Sequence, residues 1–108
     1  MVRKKRKYTK SVKKAKISKD SINSFFEVGN PYFIRTVTMH LVGKLTKIND
    51  KELFLEEASW IADSGRFHDA LKTGELNEVE PFINPVILNR DCVIDATIWN
   101  FKLPKDQK

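Results

Sequence analysis

Two histidines, one cysteine and a Ser-Gly-Arg step are the residues of this chain whose types could carry chemistry: His40, His68, Cys92 and the run "DSGRF" (Asp63–Phe67). A cysteine nucleophile needs a base held within hydrogen-bond reach. Only His40 and His68 are available, and neither is near Cys92 in the chain, so Cys92 reads as a buried, inert thiol. A metal site wants His, Cys or carboxylate at ligand spacing. "HDALKTGE" and "RDCVID" do not offer it, so no metal and no other cofactor is expected. "DSGRF" places Gly after Ser but lacks the glycine pattern of a nucleophile elbow. Ser64 is better read as a helix cap. No catalytic residue emerges, and the chain reads as a non-enzyme.

The start of the same helix, with Gly65 and Arg66, is a place where a phosphate or carboxylate can sit. Arg66, His68 and Arg90 are the candidate set for a small anionic ligand such as a nucleotide. Structural anchoring is the stronger reading of this region. In it Trp60, Phe67 and Leu71 plug an open end of the fold, and Arg66 pairs with Glu78 or Glu80.

Charge gives a sharper signal. Residues 1–19 hold ten Lys or Arg and no acid, whereas residues 20–108 hold ten against fourteen acids, a balance of −4. A basic arm on an acidic body is the pattern of an interaction tail. Arg3, Lys4, Lys5, Arg6, Lys7, Lys10, Lys13, Lys14 and Lys16 are the candidate nucleic-acid contacts, since such side chains gain affinity by releasing condensed counterions without needing a fixed fold. Tyr8 is the arm's single aromatic residue, so base stacking is minor and sequence preference weak. Other targets are an acidic protein surface, including a neighbouring subunit's body, or an anionic membrane. A merely solubilising tail is the last alternative.

These residues must be positioned by one domain at most, given 108 residues. The divisions expected are a disordered basic arm (1–19), a small β-barrel domain (20–103) and a polar tail (104–108). No run approaches the roughly 20 apolar residues of a membrane span, and the basic start lacks the apolar stretch of a secretory signal. One cysteine fits a reducing compartment. A soluble, cytoplasmic protein is expected: host cytoplasm, or virion, if a phage encodes it.

"DSINSFFEVG" suggests a short helix with Ile22, Phe25 and Phe26 as its stripe, ended by Gly29 and the turn "GNPY". "YFIRTVTMHLVGKLTKI" alternates, with Phe33, Val37, Met39, Leu41 and Leu45 on one face. That predicts one long strand, and Gly43 marks a bend or a close backbone approach. "NDK" is a tight turn into "ELFLEEASWIA", a second strand with Leu53 and Leu55 inward. "DSGRFHDALKTG" reads as a short helix capped near Asp63 or Ser64 and ended by Gly74. Two extended pieces follow, "NEVEPFINPVIL" and "RDCVIDATIWNFKL". The fold class is mainly β (α+β), a small, strongly bent barrel with one or two short helices.

The stretch "VGKLTKINDKELFLEEA" resembles the Sm-like family of Hfq and the LSm proteins. Gly43 and Leu45 stand at its G-x-L, and Leu53 and Leu55 at the apolar pair of its next strand. "LNRDCVI", with Arg90 and Ile94, resembles its second motif. SH3-type barrels share the same alternation. The resemblance implies a ring of subunits that binds RNA. Glu52 replaces the family's base-reading Asn and Asp91 the Gly after its Arg, and two acids at that pocket argue against uridine-type recognition. "WIADSGRF", "EVEPF" and "LPKDQK" resemble a group of small proteins of tailed phages and prophages, which implies a viral origin and no activity. The leading expectation is a homo-oligomeric Sm-like protein whose arm contacts nucleic acid, RNA or DNA. The alternatives are a structural or assembly protein of a phage virion with its arm on neighbouring subunits, and a binder of a small anionic ligand.

Overall fold

The structure, a computed structural model, describes residues 24–108. Its elements are β1 (Pro31–Thr36), β2 (His40–Ile48), β3 (Glu52–Asp63), α1 (Phe67–Thr73), β4 (Glu78–Pro81), β5 (Val86–Asn89) and β6 (Val93–Ile98). A 3-10 turn, Arg90–Cys92, joins β5 to β6. All pairings are antiparallel and form one sheet in the order β4-β3-β2-β1-β6, with β5 also on β3. The protein is therefore mainly β. The twelve-residue β3 organises the sheet. One of its edges pairs with β2, while the other is shared by β5 along Glu52–Leu55 and β4 along Ser59–Asp63.

The sheet bends where the ladder between β2 and β3 slips. Lys44 pairs with Glu56 and Val42 with Ser59, so Glu57 and Ala58 together oppose Gly43. Glu57 has φ 51°, the left-handed conformation of a bulge residue. Gly43 is the close approach expected from sequence: a Cβ there would lie 3.0 Å from that of Ala58. A second slip at Thr46 adds to the bend.

Two cores lie on opposite faces of this one sheet. Tyr32, Ile34, Leu45, Leu53, Leu55 and Ala58 fill the concave interior, closed by Val86 and Leu88 of β5 and Val93 and Ala96 of β6. Past the bulge, Phe33, Val42, Ile61 and Val79 bury the other face beneath Ala70 and Leu71 of α1 and the C-terminal residues Trp99, Phe101 and Leu103. The predicted pair Leu53 and Leu55 is fully buried. The "NDK" turn also forms, with Asn49 Oδ1 accepting from the backbone N–H of Lys51 and Glu52 at 2.8 and 2.7 Å.

Several expectations are corrected. The long strand from Tyr32 to Ile48 is a hairpin, broken at Val37–Met39. Thr36 makes that turn: its hydroxyl accepts from the N–H of Met39 at 3.0 Å and donates to the Met39 carbonyl at 2.9 Å. The chain reverses there, so Phe33 faces one core and Leu45 the other. The helix expected over 20–29 is absent from its described part: Ser24–Gly29 runs as a bend and a turn, and residues 20–23 lie outside the described residues. Asp63 and Ser64 do not cap α1. Its N-cap is Arg66, without a side-chain bond, while Asp63 Oδ1 accepts from the Gly65 N–H at 2.8 Å. Gly74 does end α1, at φ 80°. The tail itself lies along β4: Lys108 exchanges two 3.0 Å backbone hydrogen bonds with Val79, covering the outer edge of that strand.

Candidate functional site

The structure does not bring the proposed anion-binding residues together. Arg66 and His68 are exposed at the start of α1, just past the Asp63 end of β3. Arg90 sits beyond the opposite end, next to Asn89, which pairs with Glu52. Its guanidinium Nη1 donates to the Asn49 carbonyl at 2.6 Å and its N–H to the Lys51 carbonyl at 2.9 Å. Arg90 thus fastens the β2–β3 turn to the 3-10 turn. Arg66 forms no ion pair with Glu78 or Glu80. The arm contacts Arg3, Lys4, Lys5, Arg6, Lys7, Lys10, Lys13, Lys14 and Lys16 lie outside the described residues.

Cys92 is half-buried rather than buried, and its thiol donates to the Asn89 carbonyl at 2.9 Å. Among the described residues no group of three or more His, Cys, Asp or Glu is placed to hold a metal. No helix there is long and apolar enough to cross a membrane. Glu52 is engaged in its own turn, accepting from the Asn49 side chain at 3.1 Å.

The plug reading of Trp60 and Phe67 is also corrected. Trp60 is 43% exposed, and Phe67 is exposed along one side while its ring packs at 5.7 Å from Phe33 and 6.4 Å from His40. Ala70, Leu76 and Val79 are the residues that close this end, because α1 lies on the face opposite Trp60. Phe67 instead caps a polar pair. Arg35 donates from Nε and Nη2 to the two carboxylate oxygens of Asp95, and its Cζ lies 4.8 Å from the Phe67 ring centre. These hydrogen bonds hold the Asp95 carboxyl below its usual value and raise the Arg35 guanidinium.

Two apolar surfaces remain on the side of the concave face. One is a groove of about 400 Å³ where the described chain begins, lined by Phe25, Phe26, Tyr32, Val93, Ile94 and Ala96, with Arg90 at its rim. Phe26 packs edge-on against Tyr32 at 5.2 Å. The other lies past the bulge, where the sheet flares away from β5. Here Trp60 pairs with Leu41 on one side and Glu80 on the other, and paired residues share a face. Met39 and Phe82 extend this surface and are 40% and 42% exposed. The sequence signal for it is the aromatic content of the β3–β4 region, from which Trp60 is expected in a plug with Phe67 and Leu71.

Compared with known proteins, the chain matches no protein family, no curated protein and no solved structure.

Proposed function

We propose that this chain is a non-enzymatic, phage-type Sm-like protein that forms a homo-oligomer and contacts nucleic acid through its basic arm. The observation that carries this reading is the charge division, ten cations and no acid over residues 1–19 against a net −4 over the remainder. Phosphate neutralisation by such a segment supplies affinity with little sequence selectivity. The edge strands support self-association: among the described residues β5 and β6 each pair on one side only, and they expose Ile87 at 66% and Ile94 at 65%. Unpaired strand edges bearing apolar side chains are suited to pairing with another copy. The same edges favour a second reading, a virion structural or assembly subunit whose arm lies on its neighbours.

Deletion of residues 2–16 tests the first reading. The shortened protein keeps its circular dichroism and melting temperature, remains a discrete oligomer by mass photometry, and loses more than nine-tenths of its affinity for a mixed-sequence oligonucleotide. Undiminished affinity would overturn the arm's role. Copurification with phage particles, without nucleic-acid binding, would favour the second reading.

A further inference from the structure

We propose that the flared face around Trp60 is a docking surface for the chain's own basic arm, Arg3–Lys16, held in cis. The face combines an exposed indole, Phe82 and Met39 with two carboxylates. Glu80 is the cross-strand partner of Trp60, and Glu78, two residues before it on β4, shares its side of the strand. Cations gain from an aromatic face and from a carboxylate beside it. Charge decides between partners. Residues 57–63 of β3 and Glu78–Pro81 of β4 hold Glu57, Asp63, Glu78 and Glu80 and no Lys or Arg. Along β4 the tail adds Gln107, whose amide donates to the Glu80 carboxylate at 3.0 and 3.2 Å, and Lys108, whose ammonium is turned to Glu75 at 3.7 Å. A phosphate backbone is repelled from such a surface, whereas a run of lysines and arginines is drawn to it.

The chain's geometry allows the contact within one molecule. Lys16 is eight residues from Ser24, a reach of up to about 28 Å. The described chain begins on the same face, where Phe26 packs on Tyr32. From Ile34 of β1, next on that face, the row runs through Leu41 of β2 to Trp60 of β3, two strand spacings of about 4.8 Å each. Tethering gives the arm an effective concentration in the millimolar range, so individually weak contacts suffice. In an oligomer a neighbour's arm is tethered as well, and the cis contact is set apart from it by the short reach from Ser24 to this face.

This inference rests on the reading of the arm as a nucleic-acid contact and adds its regulation. The docked arm is masked, and nucleic acid must displace it from the Trp60 face.

The test uses the full chain with a nitroxide at Lys10→Cys in a Cys92→Ser background. The indole N–H signal of Trp60 should lose more than half its intensity at about 10 mM salt and regain it near 1 M, where the screening length falls from about 30 Å to about 3 Å. Glu78→Gln with Glu80→Gln should abolish the loss without changing the melting temperature, and should raise oligonucleotide affinity several-fold. A mixture of labelled chains and unlabelled, isotope-enriched chains should show no loss. Absence of a salt-reversible loss overturns the proposal, and so does an equal loss in the mixture, which would assign the face to a neighbour's arm. Docking in a protein that binds no nucleic acid would sustain the contact and defeat the nucleic-acid reading on which its regulatory role depends.

Discussion

Arg35 and Asp95 stand directly opposite each other on β1 and β6, and their side chains form a two-pronged ion pair at 2.9 and 2.5 Å. The pair ties the edge strand to the sheet, and Phe67 of α1 packs over its guanidinium. Because hydrogen bonds from Arg35 lower the Asp95 pKa, the pair's stabilisation is complete above the ordinary carboxylate value of about 3.9 and is lost as pH falls through the lower folded value. Asp95→Asn should therefore melt a little below the wild type near neutral pH. The gap should close as pH falls below about 4. A gap that stays constant into acid would mean that Asp95 acts by packing alone.

The two tryptophans should respond oppositely to truncation. Trp99 is 2% exposed, packs 5.9 Å from Phe33 and 5.2 Å from Phe101, and donates its indole N–H to the Lys102 carbonyl at 3.2 Å. Trp99→Ala should destabilise by about 3–5 kcal/mol, the range for a buried aromatic. Trp60→Ala should change stability by less than about 1 kcal/mol, because its indole is half in solvent already. Urea titration of both variants checks this, and equal losses would restore Trp60 to the core.

What was legible in the sequence follows from how local each signal is. Leu53 and Leu55 alternate within a strand that buries one face, and Asn49 makes its turn with residues two and three positions away. The hairpin at Thr36 was hidden because Val37 and Met39 continue the apolar alternation through a turn without Gly, Pro, Asn or Asp. Trp60 is out of phase with Leu53 and Leu55 by period two, and the Glu57 bulge turns it onto their face, beyond the part of β3 that β5 pairs, which no local pattern announces. Arg90 was drawn into a ligand set because its partner is a backbone oxygen forty-one residues away. Nothing local announces such a bond.

Gly74 joins two requirements that only glycine meets. Its φ of 80° ends α1, and an added Cβ would lie 2.6 Å from Phe101 Cγ, against the ring itself. Gly74→Ala should thus lose more stability than the roughly 1 kcal/mol of an unfavourable left-handed residue alone. Combining it with Phe101→Ala should cost less than the sum of the two single losses, because the clashing Cγ and ring are gone. Strict additivity by denaturant titration would locate the whole effect in the backbone.

The salt dependence of nucleic-acid binding separates charge from base reading. With about five phosphates neutralised, the log–log slope should be near −3.5 for single strands and −4.5 for duplex. Uridine-rich, adenosine-rich and mixed oligomers should bind alike, because phosphate contacts carry no sequence information. The body points the same way. Glu52 is held in the β2–β3 turn by Asn49, and the guanidinium of Arg90 is committed to the Asn49 carbonyl. Asp91, in the 3-10 turn, adds an exposed acid beside Arg90. A base pocket built on these residues would have to release Arg90 and accept two carboxylates. Affinity for the three oligomers, measured at two salt concentrations, decides the matter. A flat salt response with a marked preference for one base would move the site from the arm to the body.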